Sequence, residues 1–255
     1  MDDSQYRAVA DSLYDAYRTG TETTVDAEFG VEDGYRIQDA LVERRRADEG
    51  DPVGYKVGFT SAAIQDELGV DEPAFGRLLA DTVVSDGRLD LSSFVAPKVE
   101  AELAFRLGEE LTPPVSVPTV LAATDAVIPA IEVVDSRTGW DVEAATAVAD
   151  NSLSGRLVHA GAAVDPTALG TDLGLVGMTV RRDGALEATG VGADVLGHPA
   201  EPVVWLAGAL AECGRTLAAG DLVLTGSATP LVDFASGTHV EAQFGGLGSV
   251  SIHGV

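Results

Sequence analysis

Lysine, cysteine and aromatic side chains are all scarce in this chain. Of its 16 basic residues only two, Lys56 and Lys98, are lysines, and they stand against 41 acids for a net charge of −25. Phosphate neutralisation needs clustered Lys and Arg, so the composition excludes a nucleic-acid partner. The single cysteine, Cys213, excludes an internal disulfide and a cysteine-built zinc site. It falls in a helical pattern and reads as structural. No stretch reaches the roughly 18 uninterrupted apolar residues of a membrane span, and Met1-Asp2-Asp3 lacks the basic and apolar regions of an export signal. A cytoplasmic protein with no membrane partner is expected. Also missing are a Gly-x-Ser-x-Gly elbow, a phosphate-binding Walker loop and a Gly-x-Gly-x-x-Gly turn. The four histidines, His159, His198, His239 and His253, have no metal-ligand spacing.

What the chain has in excess is acid. At about 1 M salt the Debye length falls to about 3 Å and screens the self-repulsion of such a surface. A halophilic interior is therefore the expected home, and a lone carboxylate carries little functional weight.

The hydrophobic period changes once. Residues 4–19 and 31–49 repeat apolar side chains at helical spacing, as in Val9, Leu13 and Ala16 and then Tyr35, Ile37, Leu41 and Val42. After Gly50-Asp51-Pro52 come short β-branched or alternating runs at 53–59, 99–107, 127–134, 155–162, 174–181, 221–226, 238–244 and 248–253. Helices are predicted at 117–125 and 201–216, the latter with Val204, Leu206, Leu210 and Cys213 on one face, and Gly184 to Gly197 reads as a hairpin and connecting loop. The expected class is α+β, with an N-terminal helical segment at 1–50 and a β-rich catalytic body at 51–255 joined as one continuous domain.

Two constellations carry chemistry. Lys56 lies inside the apolar run Val53-Gly54-Tyr55-Lys56-Val57-Gly58-Phe59. A buried amine can have its pKa lowered and exchange a proton, which arginine cannot. Glu100 and Glu102 are two apart in a strand pattern, so both carboxylates project from one face while Val99, Ala101, Leu103 and Phe105 project from the other. A third acid, Glu132, is embedded in Ile128-Pro129-Ala130-Ile131-Glu132-Val133-Val134. Three oxygen donors without a soft ligand suit Mg²⁺ or Mn²⁺. One lysine and three carboxylates fit chemistry in which a metal chelates a 2-oxo acid while a nearby group moves the proton.

These residues lie in segments that resemble the 2-keto-4-pentenoate hydratase and 4-oxalocrotonate decarboxylase group of the fumarylacetoacetate hydrolase superfamily. In order, the segments are Gly54 to Ser61, Glu72-Pro73-Ala74-Phe75-Gly76, Pro97 to Phe105, Pro129 to Arg137, Ala149-Asp150-Asn151, Gly220 to Gly226 and Phe244 to Val250. The resemblance implies a mixed β-roll or barrel-like sheet with N-terminal helices and a homo-oligomer. It also implies a metal held by Glu100, Glu102 and Glu132, Lys56 as proton-handling group, and Ser154 and Arg156 as substrate contacts for a small 2-oxo acid.

Two positions depart from the group. Hydratases usually carry an acid where this chain has Ala74, and a hydroxyl is common where it has Leu153, which leaves Ser152 and Ser154 as the alternatives for the substrate-contacting hydroxyl. Trp140 resembles the hydratases, whereas Lys98 and Arg156 resemble the decarboxylases. Hydration of 2-hydroxypenta-2,4-dienoate is the expected activity and decarboxylation of 4-oxalocrotonate the runner-up. A fumarylacetoacetate-type C–C hydrolase lacks its histidine–glutamate pair here. Outside catalysis, a metal-stabilised oxo-acid-binding or structural protein is the alternative.

Overall fold

The computed structural model describes residues 1–255 except Asp86, Ala160 and Ala162. Two helices, α1 (Asp3–Thr19) and α2 (Val31–Glu49), precede the strands. Asp2 caps α1 in a reciprocal capping box with Gln5, and Gly20 ends it in the left-handed conformation. Tyr6, Ala10 and Leu13 of α1 meet Ile37 and Leu41 of α2 and Ala149 in a small core of their own. Gln38 fastens this pair to the body, its Nε2 donating to the carbonyls of Phe75 and Val148, each at 2.9 Å.

The body begins with β1 (Pro52–Gly58), α3 (Ala62–Leu68), β2 (Ala74–Leu79), β3 (Val83–Val84), β4 (Arg88–Leu89) and β5 (Lys98–Leu107). It continues with α4 (Val117–Ala123), β6 (Thr124–Val134), α5 (Ala144–Ala149), β7 (Ser154–His159), β8 (Gly177–Arg182) and β9 (Ala185–Val191). The last elements are α6 (Glu201–Glu212), β10 (Leu222–Leu224), β11 (Val232–Asp233), β12 (His239–Phe244) and β13 (Gly248–Gly254). The larger sheet runs β2-β1-β10-β5-β6-β7-β3, with β11 also on β5, and the smaller one runs β4-β13-β12-β8-β9. Strand β1 is parallel to β10, and β3 to β7; the other pairs of the larger sheet are antiparallel. Because β2 also approaches β7, the larger sheet curls into a half-barrel.

The curl creates two differently filled faces. Val99, Ala101, Leu103 and Phe105 point outward into the main core shared with the smaller sheet and α6. The inner face holds Ala104, Ala126, Ile128, Ala130, Leu157, Leu224 and Leu78 at one end. Residues two apart share a face, so the same inner surface carries Glu100, Glu102 and Glu132 at the other end.

The local expectations need three corrections. Strand β2 and helices α3 and α5 were not anticipated. All six residues of β2 are buried, so no alternation marks it, and α5 is built almost wholly of alanine and valine. Helix α6 stops at Glu212, where Gly214 turns left-handed, and its buried face is Val203, Leu206, Ala207 and Leu210. Val204 and Leu206 are two positions apart, about 200° around a helix, and cannot share a face; Cys213 is exposed. The run 155–162 forms β7 only to His159, and its residues 160 and 162 lie outside the described ones. The 184–197 stretch is the hairpin and connecting loop expected, with residues 185–191 as the second arm on β8.

Candidate metal and substrate site

Register brings the four chemical groups together. Glu100 lies directly opposite Glu132 on β5 and β6, and Lys56 on β1 lies opposite Leu224 of β10, which in turn lies opposite Ala104 of β5. Carboxylate oxygens of Glu100, Glu102 and Glu132 fall within 4.8 Å of one another. Lys56 Nζ is 2.9 Å from Glu132 Oε2. Apart from that ion contact, neither oxygen of Glu132 accepts a hydrogen bond. Glu102, Glu132 and Lys56 are buried and Glu100 is half-buried.

Glu102 is aimed by the backbone: the N–H of Gly226 donates to its Oε2 at 2.9 Å. Gly226 has φ of +93°, and a Cβ there would fall 2.2 Å from Thr60 Oγ1. Glycine is therefore required where the 220–226 segment turns into the site. This donor escaped the sequence reading, although the Gly220 to Gly226 match marked the segment.

Charge at the site is unbalanced. Burial, followed by repulsion from Glu132, pushes the Glu100 carboxyl up to about 7, with Lys56 pulling the other way. Burial, then Glu132 and Glu100, raise Glu102 well above the usual carboxylate range, against the pull of Lys56 and the Gly226 N–H. The lysine corrects an expectation. Burial alone would lower its pKa, but Glu132, Glu100 and Glu102 together outweigh that effect and raise it. Lys56 is thus held as an ammonium by carboxylates that remain under-neutralised. Convergent hard oxygens, two of them without a hydrogen-bond partner, fit a small divalent cation.

The remaining predicted contacts divide. Ser154 is buried opposite Val134, past a β-bulge that breaks the regular alternation of β7; its carbonyl accepts from Arg137 Nη2 at 3.3 Å. Arg156 is not brought to the cluster. It lies opposite Val133, hence on the other face, where Nη1 pairs with Glu49 at 3.1 Å and donates to the Tyr17 hydroxyl. Lys98 shares the face of Glu100 at the start of β5, its Nζ 4.7 Å from the centre of the Trp140 ring and 3.6 Å from Asp233. Ala74 is buried opposite Gly58, on the Lys56 face of β1, so no carboxylate stands there.

A framework behind the site also escaped the sequence reading. Asp135 accepts from the N–H groups of Val95 and Ala96, fixing the entry to β5. Asp150 accepts from the N–H and Nε of Arg137. Directly after Asp150 the chain passes through Asn151, Ser152 and Leu153 with φ of +52°, +51° and +60°. Left-handed non-glycine residues cost about 1–3 kcal/mol each and persist where their surroundings over-determine them.

Residues 50–253 match the fumarylacetoacetate (FAA) hydrolase C-terminal family. The chain belongs to that family. Among its relatives, the 2-keto-4-pentenoate hydratase of Paraburkholderia xenovorans (strain LB400) is 40% identical, over 98% of this chain and 95% of the relative. The 4-oxalocrotonate decarboxylase of Pseudomonas sp. (strain CF600) is 38% identical over 86% and 83%. Among solved structures, the 4-oxalocrotonate decarboxylase from Pseudomonas putida G7 complexed with magnesium and adipate superposes with a TM-score of 0.94. It is 33% identical and covers 100% of this chain and 99% of its own. The fold expected from the resemblance, helices before a curled mixed sheet, is the one observed. No described helix is long and apolar enough to cross a membrane.

Proposed function

We propose that the chain is a divalent-metal-dependent lyase that hydrates 2-hydroxypenta-2,4-dienoate to a 4-hydroxy-2-oxo acid. The observation that carries it is the buried convergence of Glu100, Glu102 and Glu132 on one point beside Lys56, in a family member about 40% identical to named hydratases over nearly its whole length. The three glutamates would hold Mg²⁺ or Mn²⁺, which supplies Lewis-acid stabilisation of charge on a 2-oxygen. The Gly226 N–H keeps Glu102 aimed. Lys56 Nζ, 2.9 Å from Glu132, would give and recover the proton as the double bond shifts. The apolar inner end of Leu78, Ala104, Ile128, Leu157 and Leu224 closes the far side to water.

Decarboxylation of 4-oxalocrotonate is the second reading, favoured by one observation: Ala74 is buried beside Lys56 where an acid would help deliver water. Incubating the protein with Mg²⁺ and each dienol, following loss of the conjugated absorbance and identifying products, decides between them. Hydration yields the 4-hydroxy-2-oxo acid from the monocarboxylate. Release of CO₂ from 4-oxalocrotonate without hydration of the monocarboxylate replaces it with the second reading, and no metal-dependent turnover of either defeats both.

We further infer a homo-oligomer, as the family resemblance implies, acting in a salt-rich cytoplasm, supported by the charge of −25. The helical segment 1–50 and the body 51–255 work as one domain, since Gln38 and Arg156 tie them through buried contacts.

A further inference from the structure

A second cavity lies on the back of the β1–β2 hairpin. Residues alternate along β2, so Gly76 faces inward opposite Lys56 while Phe75 and Arg77 project from the outer surface. Local periodicity gathers three walls there. Phe75 and Arg77 are two apart on β2, Tyr35 and Asp39 four apart on α2, and Trp205 and Ala209 four apart on α6, so each pair shares a face of its element. Together they line a cavity of about 700 Å³, within the roughly 300–1,000 Å³ of small-molecule sites. Neither Lys56 nor any of the three clustered glutamates lines it.

Aromatic surface and a half-used guanidinium lie side by side in this cavity. The Phe75 ring stacks on Tyr35 at 4.6 Å between centroids and meets Trp205 at 6.4 Å. Arg77 Cζ is 5.3 Å from the centre of the Phe75 ring, and the residue is more than nine-tenths buried. Its Nη2 pairs with Asp39 at 2.9 Å, and Arg215 at the rim shares that carboxylate at 3.4 Å. Its Nη1 has no hydrogen-bond partner among the described residues. A buried donor left unmet is costly, and a guanidinium fork is shaped to hold two acceptor oxygens. The Asp39 side chain is 52% exposed, free to swing into water and leave both arginines to an incoming carboxylate. The acids Glu32, Glu72 and Glu212 also border the cavity. They repel a multiply charged anion such as phosphate, and the aromatic wall favours a ring. We propose that this cavity binds a small aromatic monocarboxylate, its ring against Tyr35, Phe75 and Trp205 and its carboxylate on Arg77 and Arg215. The site is separate from the glutamate cluster and does not depend on the lyase reading.

The cavity carries its own reporter. Cys213, the single cysteine, is exposed and lines it. Benzoate, titrated against the rate at which a thiol reagent modifies Cys213 in the full chain, should slow that rate about fivefold or more at saturation. Acetate, which lacks the ring, and benzyl alcohol, which lacks the charge, should not. Arg77→Lys keeps a charge but loses the fork, and Arg215→Gln removes a charge at the exposed rim. Each should raise the half-protecting benzoate concentration about tenfold, a measure that a change in the thiol's own reactivity does not enter. Where Arg77→Lys fails to fold, Arg215→Gln decides. No protection by benzoate, equal protection by benzyl alcohol, protection by benzylamine in place of benzoate, or an unchanged half-protecting concentration in Arg215→Gln overturns the inference. Loss of the benzoate effect on adding Mg²⁺ and pyruvate overturns it too, since benzoate would then sit at the glutamate cluster.

Discussion

Two buried ionic networks lie within one turn of chain of each other, and they are balanced in opposite ways. Behind the site, Arg137 meets Asp150 at 2.8 Å and Asp135 at 3.7 Å. Asp135 and Asp150 also accept backbone N–H groups. Nearby Arg45, 3.8 Å over the Tyr17 ring, pairs with Glu49, which also takes Arg156. Inside the barrel a single ammonium faces three carboxylates, two of which are pushed toward protonation. The first network joins pieces of chain, while the second leaves buried negative charge unbalanced. Burial alone does not distinguish them; the balance of cations to carboxylates does.

The largest expected effect breaks this comparison directly. Arg137→Met leaves Asp150 and Asp135 buried without their cation and should lower stability by about 3–5 kcal/mol. Glu102→Gln removes a repelled charge, so at pH 8 and without metal its melting temperature should match or exceed that of the wild type, while its Mg²⁺-induced shift and turnover largely disappear. Denaturant melts with and without Mg²⁺ check both. Equal destabilisation by the two substitutions would erase the distinction between the networks.

A smaller effect sharpens it through pH. Glu100 holds its proton up to about 7 in the folded, metal-free chain, against 4.5 when unperturbed. The folded state therefore binds more protons between those values, and the stability this contributes is present below 4.5 and lost as pH rises through about 7. Metal needs the carboxylates ionised, so the rise in melting temperature caused by Mg²⁺ should be small at pH 5.5 and grow toward pH 8. A Mg²⁺ shift that does not change with pH would show that Glu100 is not a ligand.

The smallest effect concerns the surface as a whole. A charge of −25 repels itself until salt screens it. Between about 0.1 and 1 M KCl the Debye length falls from about 10 to 3 Å, and the melting temperature should climb across that range. A flat profile would leave the acidic composition without a stabilising role in salt.

The sequence by itself determined the elements that show a period and the chemistry that shows an odd residue. Alternation in 99–107 put Glu100 and Glu102 on one face and Val99, Ala101, Leu103 and Phe105 on the other, as observed, because strand geometry fixes that relation locally. Lys56 and Glu132 were visible as charges in apolar runs, where only a partner justifies the desolvation. Strand β2 was not visible, because burial on both faces erases its pattern.

Tertiary structure alone decided the rest. Register across β1, β10, β5 and β6, drawn from three separated stretches of sequence, brought the lysine to Glu132. It put Arg156 on the far face with Glu49, and it raised rather than lowered the Lys56 pKa, since that sign depends on how many carboxylates surround the amine. The left-handed turn at Ser152 is likewise a product of long-range contacts, with Arg77, Arg137 and Asp135 imposing a conformation that Asn-Ser-Leu would not choose in isolation.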